Sequence, residues 1–219
     1  MTLVIIDYGS GNLRSVAKAF EHVAGGKKIL VTSNAKDLET ASHIVLPGVG
    51  AFGDCMRGLA AIPGMIDALG EQVHAKKKPF LGICVGMQAM MDHSEENNGV
   101  DCIGILPGKV RFFGENFKDA AGNHLKVPHM GWNQVAFPAH ARMHPCWAGV
   151  ADGSAFYFAH SYYAVPSQNG LIAATTNYPD PVCVAAARNN IFAVQFHPEK
   201  SADAGLRVLK NFSTWNGTV

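Results

Sequence analysis

Residues 79–88 read PFLGICVGMQ. A proline opens a short apolar run, and a glycine then hands over to residues that favour helix. The expected reading is a strand over 79–83 and a helix over 86–93 (GMQAMMDH), with Cys84 on the tight turn between them. Strand, sharp turn, helix is the repeating unit of an α/β sheet. The chain on the N-terminal side follows the same pattern. LVII (3–6) runs into the turn-rich DYGSGN, and LRSVAKAFEHV (13–23) then sets Leu13, Val16, Ala17, Phe20 and Val23 on one helical face behind Asn12, a suitable cap. KILVT (28–32) and HIVLPG (43–48) are further strands, and 52–75 is mainly helical with a restart at Pro63. Strands that are apolar on both faces and alternate with helices imply a parallel sheet covered on both sides.

After about residue 104 the pattern changes. GKVRFF, NQVAF, SAFYFAHSYYAV, LIAAT, VCVAAA and IFAVQFH follow with little helix between them, and Arg188-Asn189-Asn190 suits a hairpin turn. A last helix over 202–215 should turn Leu206, Leu209 and Phe212 inward. The expected fold is α/β: one three-layer domain over 1–219, with a mostly parallel central sheet and an antiparallel extension in the C-terminal half.

Composition narrows the function. The chain is 48% hydrophobic and 16% charged with a net charge of +1, so no long-range field draws nucleic acid or an anionic membrane. No apolar run approaches the roughly 20 residues of a membrane span, and MTLVIIDYG has no signal-peptide character. Cys55, Cys84, Cys102, Cys146 and Cys183 are scattered and form no C-x-x-C pair, so neither a zinc site nor a disulfide framework is expected. A reduced, cytoplasmic protein without metal or cofactor follows. GSGNLR has Gly9 and Gly11, but Arg14 stands where a dinucleotide fingerprint needs its third glycine.

In such sheets ligands bind beyond the carboxyl ends of the parallel strands, here DYGSGN (7–12), PGVGAFG (47–53) and GICVGMQ (82–88). Two readings of Cys84 compete. It is a small buried thiol at a glycine-rich strand end, or it is a nucleophile on a strained elbow flanked by Gly82 and Gly86. A helix N-terminus behind it favours a thiolate, and the Val85 N–H is placed for an oxyanion. The second reading needs a base. Among the ten histidines, His93, His124, His140 and His144 sit in polar, loop-like settings and read as solvated. His197 in VQFHPEK ends a strand, and Glu199 two residues on can fix its tautomer. Nucleophile, base and orienter are then all present for acyl transfer.

PGVGAFGDCM, GICVGMQ and QFHPEKS, in this order, resemble the class I (triad) glutamine amidotransferases. IDYGSGNLRSV (6–16), PHMGWN (128–133) and HSYY (160–163) narrow the resemblance to the glutaminase subunits of imidazole glycerol phosphate synthase, over nearly the whole chain. Val85 departs from the usual leucine, but that position works through its backbone. The resemblance implies a flavodoxin-like fold and a Cys84–His197–Glu199 triad that splits L-glutamine through a thioester. It implies Val85 and Val49 as oxyanion donors, and Gly50, Gln88, Glu96, Ser161 and Tyr162 around the substrate. His129 and Trp132 would be structural or interface residues, and Tyr163 a residue of core packing or of the site. It also implies a heterodimer with a (β/α)8-barrel cyclase subunit, touched by Asn12, Tyr157 and Lys200. Ammonia would pass through that barrel to make imidazole glycerol phosphate and aminoimidazole carboxamide ribonucleotide in histidine biosynthesis. Two alternatives stay open. One is the amidotransferase subunit of another pathway, such as anthranilate or pyridoxal phosphate synthesis, and the other is a non-catalytic relative of the fold with an inert cysteine.

Overall fold

The structure is a computed structural model, and it describes every residue of the 219 except Ser10, Asn116, Asp119 and Ala120. Ser10 belongs to the DYGSGN turn, so that part of the expected turn lies outside the described residues. The elements run β1 (Thr2–Ile6), α1 (Leu13–Val23), β2 (Lys28–Thr32), α2 (Asp37–Thr40), β3 (His43–Gly48), α3 (Phe52–Ala61), α4 (Met65–Gly70), β4 (Phe80–Cys84), α5 (Val85–Gln88), β5 (His93–Ser94), β6 (Val100–Asp101), β7 (Gly108–Phe112), β8 (His129–Gln134), β9 (Ala155–His160), β10 (Tyr162–Pro166), β11 (Ile172–Asn177), β12 (Pro181–Arg188), β13 (Ile191–Val194) and α6 (Ala202–Thr214).

The main sheet has the order β2-β1-β3-β4-β13-β12-β10-β7-β5-β6, with β11 paired to β12. From β2 to β13 all pairs are parallel, and β12, β11, β10 and β7 continue antiparallel. The chain steps one way from β1 to β2 and the other way from β3 to β4. Right-handed crossovers therefore place α1 on one face and α3 and α4 on the other. α6 joins α1, with Phe20 and Phe212 meeting edge to face at 6.2 Å between ring centroids. β1, β3 and β4 are buried almost throughout because helices cover them on both sides. No helix among the described residues is long and apolar enough to cross a membrane.

Five local expectations change. The helix after the elbow is one turn, Val85–Gln88, rather than 86–93. Met87, Ala89, Met90 and Met91 are all fully buried, so the segment has no solvent face for a longer amphipathic helix. The carbonyls of Ala89, Met90 and Met91 instead accept N–H groups from Ile103, Gly104, Ile105 and Leu106. SAFYFAHSYYAV divides at Ser161 into β9 and β10, which belong to different sheets. NQVAF is mostly not strand. The strand there starts at His129, and its burial runs against hydrophobicity: His129 is buried, whereas Met130 and Trp132 are 64% and 55% exposed. Along α6 the inward positions are Gly205, Val208, Leu209 and Phe212, and Leu206 is only half-buried. His144 is not solvated: it stacks on Phe192 at 4.7 Å, and burial pushes its pKa down to about 4. The Asn189 turn agrees with expectation, with φ 53° between the paired Arg188 and Ile191.

Candidate active site

Register brings the site together. Gly48 pairs with Cys84 across β3 and β4, and Ile83 pairs with Val194 across β4 and β13. The chain ends that carry Cys84, the PGVG loop and the 195–199 segment therefore lie side by side. Cys84 sits at φ 53°, ψ −110°, a strained conformation for a residue with a side chain. The glycines around it are required by contact. A Cβ on Gly82 would lie 2.8 Å from the Gly86 carbonyl oxygen, and one on Gly86 would lie 1.9 Å from the Leu46 carbonyl oxygen. The helix start can thus settle directly onto β3. Val85 is the first residue of that helix, and its N–H has no partner within the helix.

His197 is held from several sides. Its N–H donates to the Tyr157 carbonyl at 2.9 Å, and its own carbonyl accepts the Ser201 hydroxyl at 2.6 Å. Nδ1 meets Glu199 Oε1 at 2.9 Å, and the ring lines the same cavity as Cys84, whose interaction with it helps raise its pKa. The Glu199 side chain is fully buried. Its Oε2 makes no hydrogen bond among the described residues, so its bonding runs through Oε1 to His197 and to Asn12 Nδ2 at 2.5 Å. Asn12 therefore starts α1 without capping it through its side chain. It sits in the left-handed region at φ 70°, with its amide spent on Glu199. Burial lowers the pKa of His197, but hydrogen bonds and charge attraction from Cys84 and Glu199 outweigh it and raise the pKa to about 10. That raise favours the protonated ring, the form that can hand a proton on.

A cavity of about 490 Å³ opens beside these groups, lined among others by Val49, Gly50, Cys84, Val85, Gln88, Glu96, Ser161, Tyr162, His197 and Lys200. All expected substrate and oxyanion residues reach it. Glu199 and Asn12 stand behind His197 and do not line it, nor does Tyr157. The Lys200 ammonium lies 5.8 Å from the centre of the Tyr157 ring, a cation–π contact at the rim. Glu96 has its pKa raised by burial, against the lowering effect of the Phe52 N–H, which it accepts at the start of α3. Gln88 is buried, and its Nε2 donates to the Tyr162 carbonyl at 3.0 Å and to Gln195 Oε1 at 3.1 Å. Tyr163 stacks on Phe113 at 4.7 Å, and Trp132 meets Tyr157 edge-on at 6.2 Å.

Two polar residues of the site escape the sequence reading. Gln195 is fully buried, and its Nε2 lies 3.6 Å from Cys84 Sγ. The available signal was an amide two residues before His197 in an otherwise apolar strand. His160 also lines the cavity. Its Nδ1 donates to the Tyr162 carbonyl at 2.8 Å, so in the neutral ring Nε2 must accept, and it does so from His129 Nδ1 at 3.0 Å. Burial pushes His160 down to about 3 and His129 to about 4.

Residues 4–214 match the family model described as glutamine amidotransferase class-I. The chain is 52% identical over 217 residues to the imidazole glycerol phosphate synthase subunit HisH of Nitrosococcus oceani, covering 99% of this chain and 98% of that one. It is 50% identical over 216 residues to the subunit of the same name from Pseudomonas putida, covering 99% and 98%. Among solved structures it resembles a glutamine amidotransferase with a TM-score of 0.72 at 15% identity, covering 97% and 99% of the two chains. It also resembles a glutamine amidotransferase from Thermotoga maritima with a TM-score of 0.60 at 16% identity, covering 97% and 82%. At those identities the two structures speak for the fold alone.

Proposed function

The chain belongs to the class I glutamine amidotransferase family, and from that membership we propose that residues 1–219 act as one glutaminase unit with Cys84 as nucleophile, His197 as proton carrier and Glu199 as its orienter. The protein hydrolyses L-glutamine to L-glutamate and ammonia. It is the HisH-type subunit of imidazole glycerol phosphate synthase and supplies a cyclase subunit in histidine biosynthesis. That assignment displaces the alternatives of another pathway and of an inert relative.

Cys84 Sγ attacks the side-chain amide carbon, and the carbonyl electrons move onto oxygen. Collapse breaks the C–N bond, His197 gives its proton to the departing nitrogen, and a γ-glutamyl thioester remains. His197, now neutral, takes a proton from the attacking water. The second collapse releases glutamate and returns the sulfur and the imidazolium to their starting forms. Val85 N–H and Val49 N–H are the oxyanion donors, and losing one such donor costs about a hundred- to a thousandfold in rate. Glu96 takes the α-ammonium, the carbonyl of the Gln88 amide faces the substrate, and Ser161 and Tyr162 take the carboxylate beside Gly50. All of these groups reach one cavity.

The cyclase subunit is a (β/α)8 barrel that docks where Met130 and Trp132 are exposed, with Trp132 against Tyr157, Lys200 over the Tyr157 ring, and Asn12 bonded to Glu199. Such apolar side chains outside a core mark a covered surface. A cytoplasmic location suits the free thiols. The observation that carries the mechanism is His197 set between Cys84 and a buried Glu199 on the wall of a cavity at the strand ends. The test is glutamate release with and without the cyclase subunit. Cys84→Ser should lose roughly a thousandfold or more in both conditions, and unchanged activity would refute the assignment.

A further inference from the structure

A chain of amide hydrogen bonds reaches the Cys84 sulfur, and one carbonyl fixes its direction. The Tyr162 carbonyl can only accept. The Gln88 group that faces it must therefore be the NH2, as its 3.0 Å contact requires. That NH2 also meets the amide of Gln195 at 3.1 Å, so Gln195 must present its oxygen there. The Gln195 NH2 is then forced toward Cys84 Sγ, at 3.6 Å, a hydrogen-bonding distance for the larger sulfur atom. His160 Nδ1 donates to the same Tyr162 carbonyl and fixes it from the far side. Gln195 itself is wholly buried, and its N–H donates to the Val184 carbonyl at 2.9 Å, so its backbone is fixed as well.

We infer that Gln195 is a positioning residue for the reaction: its side-chain N–H, locked in direction by Gln88 and the Tyr162 carbonyl, holds Cys84 Sγ and favours its anionic form. This rests on Cys84 as the nucleophile. In the proposed reaction His197 must release its proton to the leaving ammonia. Gln195 supplies a donor that never titrates. A hydrogen bond to a charged group is stronger than a neutral one, so the effect falls on the sulfur's ionisation rather than on glutamine affinity.

The test uses the whole chain and two variants of matching length. Gln195→Met removes the donor. Gln195→Glu keeps an oxygen for Gln88 but turns the other one on the sulfur. The readouts are the pH profile of Cys84 alkylation by iodoacetamide and the kcat and KM of glutaminase. Alkylation near neutral pH reports Cys84, because burial pushes the thiols of Cys55, Cys102 and Cys183 up to about 12 and raises that of Cys146. Both variants should lose about ten- to a hundredfold in kcat, with KM within about twofold and the alkylation midpoint one to two pH units higher. A merely structural Gln195 would lower the melting temperature and leave the alkylation midpoint where it is. Profiles that coincide with wild type in both variants overturn the inference, whatever happens to kcat. Cys84→Ser run alongside separates the two levels: if it keeps activity, the nucleophile assignment itself falls.

Discussion

Gly205 lies on α6, away from the cavity, yet it should control the triad. A Cβ there would stand 2.0 Å from the Pro198 carbonyl oxygen and 2.7 Å from Ser201 Cβ. Real Cβ contacts do not fall below 3.0 Å, so Gly205→Ala must open this gap by at least 1.0 Å. The helix is the larger body. Phe212 packs against Phe20 and His43, and Asn211 Nδ2 donates to the Cys146 and Ala148 carbonyls. The three-residue turn Pro198–Lys200 is the smaller one and should give way, carrying Glu199 off its 2.9 Å contact with His197. Misplacement of about 1 Å at a reacting group costs on the order of a hundredfold, which is the expected fall in kcat. KM should change less, because most of the cavity wall stands on other elements. Stability is a contest between about 1 kcal/mol gained from helix propensity and about 1–3 kcal/mol lost to overpacking. Overpacking wins, and the melting temperature should drop by a few degrees. Gly70→Ala is the control, since Gly70 ends α4 with no atom within 4 Å of an added Cβ. It should gain up to about 1 kcal/mol and keep its kcat. Glutamate release read by a coupled dehydrogenase assay, with calorimetry, checks both. A Gly205→Ala enzyme with kcat within twofold of wild type would refute the reasoning.

The buried histidines predict opposite trends with pH. His129, His144 and His160 have folded pKa values of about 4, 4 and 3, below the ordinary value of about 6.5. The unfolded chain therefore takes up protons first, and stability should fall as pH drops from about 6.5 through 4. His197 is raised to about 10, so its stabilising contribution is complete below about 6.5 and lost as pH rises through 10. Urea midpoints at pH 4.5, 6.5 and 9.5 should peak in the middle, and a midpoint at pH 4.5 equal to that at 6.5 would contradict the histidine assignments. Lys200→Ala should reduce glutaminase stimulated by the cyclase subunit more than basal glutaminase, because Lys200 adjoins Glu199 and sits on the Tyr157 ring at the rim. Equal losses in both rates would remove that role.

In the parallel half β1, β3 and β4 were legible because they are apolar on both faces and their burial follows the pattern, as does that of the periodic helix α1. The grouping of Cys84, His197 and Glu199 was legible because Cys84 lies between two glycines and Glu199 lies two residues from His197. Elsewhere burial and hydrophobicity part company. β8 hides a histidine and exposes a methionine and a tryptophan, so alternation gives no direction. The residues after α5 are apolar enough to look like helix, but their carbonyls belong to the 103–106 segment, a pairing between distant parts of the chain that no local window contains. Gln195 was hidden for a related reason: its meaning depends on the β4–β13 register and on an amide that points at it from α5.

The string from His129 through His160 to the Tyr162 carbonyl has one further consequence, for the fate of the product. Proton wires in proteins need links that can take and give a proton at the working pH. At about 4 and 3 these two rings do neither. Pro128, Met130, Ala159 and His160, which line the cavity on the side of the exposed β8 face, form a wall that offers no proton at neutral pH. Ammonia in contact with that wall would gain no proton from it.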